Sequence, residues 1–220
     1  MLKSPIPKKK YYGVKVTEFK KLNKIYLPFF ERKDNYFIEL LQKRSSKRVI
    51  SNNLSLLEIS PILWFTFKIR DSIKDNNILF WQKQYIPTSG GIGCISPLII
   101  NIKDYENNIF IYSGEDHSLI EIDLGNFFIN TIKEVVFNMF DLKNNGTILI
   151  YIADIVKINK KYKNAESLIW RDVGVVNLNI NLLCDLYEYK SCILGYTFDN
   201  ELENFKYKNF NIVGAQIIGY

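Results

Sequence analysis

No run in this chain approaches the roughly 18 apolar residues that a membrane span requires, so no membrane partner is expected. Histidine is almost missing: His117 is the only one. That argues against a histidine-dependent triad or a zinc site, and no metal is expected. His117 itself falls in a turn sequence and reads as solvated. Cysteine is scarce too. Cys94, Cys184 and Cys192 form no CxxC pair and no disulfide framework, which favours a reducing, cytoplasmic setting. They read as packing residues, with Cys94 the one placed near a loop that could meet a ligand. Met1 to Lys10 is basic, but no apolar stretch follows it as in a secretory signal. Repeats and flexible linkers are also missing. That leaves one domain over residues 34–220, preceded by a basic arm over residues 1–33.

What is present is apolar and aromatic. Of 220 residues, 47% are hydrophobic and 15% aromatic, enough for a substantial core. The formal net charge is +6, concentrated in Lys8-Lys9-Lys10, Lys20-Lys21 and Lys43 to Arg48. A basic surface can meet nucleic acid, but no nucleic-acid motif accompanies it. An anionic cofactor or an acidic partner accounts for the charge equally well.

Periodicity places the elements. Residues 35–43 read as a helix with Phe37, Leu40 and Leu41 on one face. A second helix carries Leu56, Ile59, Leu63 and Phe67. Ser55 with Glu58 makes a capping box, while Ser60-Pro61 is an alternative start; one bent helix over 55–68 is preferred. Residues 70–77 read as a polar turn and 78–85 as extended. A buried strand follows at 97–102, then a hairpin with arms 109–112 and 118–122 in which Gly114 supplies the positive φ. Further elements are a helix at 127–140, a strand at 147–152 and a long helix at 166–187. The last are a strand at 191–194, a short helix at 199–205 and a strand at 211–219. The fold class is α+β.

Three separated pieces have chemical potential. The first is Lys43-Arg44-Ser45-Ser46-Lys47-Arg48, whose cations and hydroxyls are what a phosphate requires, although a solvated charge run looks the same. The second is Pro87-Thr88-Ser89-Gly90-Gly91-Ile92-Gly93-Cys94. Glycines allow a bent backbone and the close approach of a flat ligand, though plain turns share this composition. The third comprises Lys160-Lys161-Tyr162, Asp172-Val173-Gly174, Asn179 and Gly195-Tyr196-Thr197-Phe198-Asp199.

The order of these pieces resembles the FMN-dependent nitroreductase fold and, more narrowly, the SagB-type dehydrogenases that oxidise azoline rings in ribosomally made peptides. The Arg-Arg-Ser-x-Arg motif of that family is matched by Lys43-Arg44-Ser45-Ser46-Lys47. Its Leu-Ser-Leu-Glu-Glu-Leu helix is similar to Leu54-Ser55-Leu56-Leu57-Glu58-Ile59. Its Pro-Ser-Gly-Gly loop falls on residues 87–96, with Gly93, Cys94 and Ser96 in place of Tyr, Pro and Glu. Its late helix keeps Gly174 and Asn179 but loses a His and a Gln.

The resemblance implies a mostly antiparallel sheet flanked by helices in a two-fold homodimer, with two chains building each site. It implies FMN, its phosphate on Lys43, Arg44, Ser45 and Lys47. The ring would lie along Pro87, Thr88, Ser89, Gly90 and Gly91, with Asn179, Gly195 and Tyr196 nearby. It further implies azoline oxidation: hydride to flavin N5, a proton to a Lys–Tyr base, and reoxidation by oxygen. That base is Lys160 or Lys161 with Tyr162, the register being open by one residue; a solvated lysine-rich loop over 157–163 is the alternative. Expected partners are a second copy, a modified precursor peptide and cyclodehydratase subunits of a synthetase complex. Two rivals stay open: an NAD(P)H-dependent nitro- or quinone reductase, and a site-degenerate scaffold subunit of a biosynthetic complex.

Overall fold

Caps and alternation account for the elements. The structure, a computed structural model, describes residues 27, 35–75, 78–140, 142, 145–198 and 210–220. The basic arm, apart from Leu27, and the expected helix at 199–205 lie outside them. Helix α1 (Tyr36–Lys43) starts where the Asn35 side chain accepts from the Ile38 N–H. Helix α2 (Leu56–Phe67) starts at the Ser55–Glu58 capping box and carries Pro61 within it, so the first of the two possible starts is the one used. Strands β1 (Asp71–Asp75) and β2 (Ile78–Lys83) pair as a separate hairpin. The glycine-rich loop then forms a single 3-10 turn at Ser89–Gly91.

Strands β3 (Ile95–Ile102), β4 (Tyr105–Ser113) and β5 (Ser118–Ile122) lead to helix α3 (Gly125–Phe140). Strand β6 (Thr147–Asp154), helices α4 (Ile155–Asn159) and α5 (Glu166–Leu186), and strands β7 (Lys190–Leu194) and β8 (Phe210–Gly219) complete the order. The main sheet runs β5-β4-β3-β6-β8-β7, with every neighbouring pair antiparallel.

In β6 the side chains alternate strictly. Leu149, Tyr151 and Ala153 join the core shared with α2 and α5, while Ile148, Ile150 and Ile152 join the core shared with α3. All six are buried. A strand covered on both faces reads as a near-continuous apolar run, which is why it was visible in the sequence. On the far face α3 contributes Phe128, Ile132 and Val136. The sheet is therefore the middle of three layers.

Several expectations need correction. Residues 71–75 are a strand, because ladder bonds ignore polar side chains that stay in water; Arg70 N–H donates to Lys83 O at 2.7 Å and closes the hairpin. Helix α4 was not foreseen; the Asp154 side chain caps it by accepting from Lys157 N–H at 2.9 Å. In the β4–β5 turn the positive φ belongs to His117 (60°), not Gly114. Gly114 serves space instead, since a Cβ there would sit 2.5 Å from Phe67 O. On α2, Leu56 is exposed while Ile59, Leu63 and Phe67 are buried. On α1 no residue is buried, and Phe37 and Leu41 are exposed.

His117 is also no solvated turn residue. Ser60 Oγ lies 2.9 Å from its Nε2 and Tyr112 Oη 2.8 Å from its Nδ1. Trp64 packs edge-on at 4.7 Å. The ring links α2 to the β4–β5 hairpin.

Candidate functional site

The antiparallel register sorts the candidate pieces between two ends of the sheet. At one end β3 begins, β6 finishes and β8 begins, with Ile95 opposite Ala153 and Asp154 opposite Phe210. The glycine-rich loop arrives here, and Asp154 N–H donates to Cys94 O at 2.9 Å. The loop after α4 lies here too, and β7 runs towards this end into Gly195. At the other end β6 starts and β7 starts. There Lys47 N–H donates to Ser191 O at 2.8 Å and Leu54 N–H to Thr147 Oγ1 at 2.9 Å.

The glycine end is tightly built. Gly90, Gly91 and Gly93 all have positive φ, at 59°, 65° and 56°, a region costly for other residues. Each also faces a side chain. A Cβ on Gly90 would lie 2.0 Å from Tyr162 Oη, one on Gly91 2.2 Å from the Trp81 ring, and one on Gly93 1.9 Å from Gln82 Nε2. Lys161 Nζ donates to Gly90 O at 2.6 Å. Among the described contacts, then, Lys161 and Tyr162 meet the glycine loop, whereas exposed Lys160 only continues α4 through its backbone.

Asp172 on α5 fixes the loop from below. It is 6% exposed and accepts from Ser89 N–H at 3.0 and 3.1 Å and from Ser89 Oγ at 2.7 Å. Buried carboxylates need such donors. Lys157 is half-buried, not solvated, and donates to Gly93 O at 2.9 Å and Gln82 Oε1 at 3.3 Å. Burial pulls its pKa down. Burial, followed by the Asp172 charge, pushes the Cys94 thiol up to about 11, so Cys94 is an inert packing residue. Two residues past Asp172, Gly174 is exposed, and a Cβ there would meet nothing within 4 Å. A mid-helix glycine costs about 1 kcal/mol relative to alanine, yet no described residue uses the space. The gap is what a flat ligand or a second chain lying against α5 would fill.

The basic end is looser. Arg44 closes α1, its N–H donating to Leu40 O at 3.0 Å. Lys43, Arg44 and Ser45 are exposed. Lys47 forms an ion pair with Asp185. Asn179 is turned towards α2, its Nδ2 donating to Thr66 Oγ1 at 2.9 Å and to Phe65 O at 3.2 Å. Gly195 is exposed, and the Tyr196 ring packs on Phe198 at 5.2 Å, on the α3 side of the sheet. Pro87 is exposed, and Thr88 O accepts from Gly91 N–H at 3.1 Å.

The two ends stand well apart. Asp172 and Asp185 lie on one helix, and 13 residues at 1.5 Å each separate them by about 20 Å. No described element of a single chain carries the basic turn to the glycine loop.

The sequence matches no family model and no curated protein. Solved structures do match. One is a protein assigned as a nitroreductase from Ralstonia eutropha, with TM-score 0.62, 15% identity, and coverage of 88% of this chain and 87% of that one. Another is the Escherichia coli microcin synthetase McbBCD complex with truncated pro-MccB17 bound, with TM-score 0.58, 17% identity, and coverage of 90% and 77%. A third is a protein assigned as a nitroreductase from Exiguobacterium sibiricum, in complex with FMN, with TM-score 0.56, 14% identity, and coverage of 86% and 89%. The chain has the nitroreductase fold.

Within this nitroreductase-like fold, sequence reasoning missed Trp81, Gln82, Lys157 and the role of Asp172. Trp81 and Gln82 were hidden in an extended segment whose partner strand was read as a turn. Lys157 lies inside α4 and Lys161 two residues past its end, so a helix begins where a solvated lysine-rich loop is expected. No helix among the described residues is long and apolar enough to cross a membrane. They hold no group of three or more His, Cys, Asp or Glu that could bind a metal.

Proposed function

We propose that this chain is an FMN-dependent oxidoreductase, working as a homodimer, that oxidises azoline rings of a ribosomally made peptide. The observation that carries it is the seating of Lys161 and Tyr162 on Gly90, a Lys–Tyr pair placed against the loop that would border the cofactor. The residues present fit the cofactor in kind. Exposed Arg44, Ser45 and Lys43 offer cations and a hydroxyl for a phosphate, and the open space beside Gly174 can admit a ring. When bound, FMN supplies the hydride acceptor.

The chain's own residues do the rest. Asp172 holds Ser89, and so fixes the loop that Tyr162 covers. Lys161 is held at Gly90 O, and Tyr162 presents its hydroxyl at the same point. One of the two takes the proton that leaves the azoline ring. The contact with Gly90 favours the Lys161–Tyr162 register over Lys160. Because the basic turn and the glycine loop lie at opposite ends of one sheet, the phosphate end of one copy would serve the loop of its partner. The E. coli complex among the structural neighbours is by its description a microcin synthetase complex with truncated pro-MccB17 bound, which favours a peptide substrate and companion subunits over a free small molecule.

The test is colour and turnover. The purified protein should be yellow, release FMN on heating, and convert a thiazoline-containing peptide to the thiazole with loss of 2 Da. A colourless protein that takes up no added FMN would end this reading.

One observation favours a second reading. The glycine faces are filled by Trp81, Gln82 and Tyr162 of the same chain, as they would be in a scaffold subunit that has given up its cofactor. The same FMN titration separates the two.

A further inference from the structure

Asp185 is an unusual place for a carboxylate. It lies in the last turn of α5, where the negative end of the helix dipole disfavours an anion. Its side chain is only 6% exposed. One oxygen takes the Lys47 ammonium; the other, Oδ2, is buried and has no hydrogen-bond partner among the described residues. An orphaned buried oxygen on a charged group is costly, and a neutral side chain of the same shape would avoid much of that cost.

The surroundings add to the imbalance. A cleft of about 260 Å³ between α1 and the end of α5 is lined by Lys43 and Lys47 together with Glu39, Asp185 and Glu188. Two ammonium groups face three carboxylates. The backbone of Lys47 is pinned to β7 through Ser191 O, so only its side chain can change partner.

Resting on the flavin reading above, we infer that Asp185 is an internal competitor for the phosphate site. It holds Lys47 while no phosphate is present and must surrender it when one binds. Asp185 therefore sets how tightly the basic turn grips the phosphate, without touching it. The cost of separating Lys47 from Asp185 is subtracted from the binding free energy of every phosphate-bearing ligand. Riboflavin, which lacks the phosphate, escapes that penalty.

The experiment compares FMN with riboflavin on Asp185→Asn and the parent by fluorescence titration. Asp185→Asn should bind FMN roughly five- to thirtyfold more tightly, with riboflavin affinity unchanged. In a Lys47→Ala background the same substitution should give no gain, because the competed-for cation is gone. Inorganic phosphate added to the flavin-free protein should raise the melting temperature of Asp185→Asn at lower concentration than that of the parent. If the parent binds FMN and Asp185→Asn binds it no more tightly, or tightens riboflavin equally, this inference fails while the flavin reading stands. If neither protein takes up FMN, both fail. Asp185→Ser, smaller and also neutral, repeats the test should the amide not fold. If neither variant folds, the carboxylate is a strut and the inference is overturned.

Discussion

Helix α5 carries two buried carboxylates, and their surroundings differ. Asp172 receives an N–H and a hydroxyl from Ser89, and both of its oxygens are engaged. Asp185 receives one ammonium and keeps a buried oxygen without a partner among the described residues. The first fixes a loop whose three glycines are already packed against Tyr162, Trp81 and Gln82. The second sits among exposed cations in an acid-rich cleft. One end of the sheet is therefore preorganised, while the other is arranged to exchange partners. Preorganised groups suit chemistry, which needs fixed geometry; exchangeable ions suit the capture and release of a charged ligand.

The largest effect that can break this contrast is on turnover. Lys161→Ala or Tyr162→Phe should lower azoline oxidation by about 10²- to 10⁴-fold, and exposed Lys160→Ala should leave it near the parent rate. Steady-state assays on one peptide decide it. An effect confined to Lys160 would move the pair off Gly90.

Stability of the glycine end comes next. Gly90→Ala puts a side chain at φ 59° and 2.0 Å from Tyr162 Oη. Strain and overpacking together should cost about 2–4 kcal/mol, read by urea denaturation. Gly174→Ala, with open space around it, should by contrast gain slightly in stability and lose flavin affinity.

Arg44→Ala sharpens the other side. It should weaken FMN about 10- to 150-fold with little change in melting temperature, since Arg44 is exposed. A large fall in melting temperature would make the basic turn structural.

How much of this was legible beforehand follows from where each signal resides. Strand β6 announced itself because both of its faces are buried, and α2 because Ser55 and Glu58 close a local capping box. The β1 strand did not, since Asp-Ser-Ile-Lys-Asp has no apolar alternation and is held only by its pairing with β2. The basic turn and the glycine loop could be named from composition. Their separation to opposite ends of the sheet could not, because it depends on the order in which β3, β6, β8 and β7 pair. Lys157 reads as part of a solvated lysine-rich loop and Asp172 as one acid of the late helix; what distinguishes them is burial against a loop 83 and 64 residues away.

The smallest effect concerns His117, far from both carboxylates in role. Burial first, then the Lys68 charge, hold its pKa below the usual histidine value, with Asp116 acting against them. The unfolded chain therefore binds the proton more readily near pH 6.5. The stability tied to neutral His117 is full above that pH and is lost as pH falls through it towards the lower folded value. The melting temperature should drop between pH 7.5 and 5.5, and His117→Gln should flatten that drop. Flavin content should not follow it.

The central claim is that the two ends of the sheet meet only across two chains. Native mass spectrometry of the flavin-loaded protein tests it most directly. The account expects a dimer carrying two FMN molecules, with Arg44→Ala dimers that have lost the flavin. A single chain that retains one FMN, stable on dilution, would contradict it.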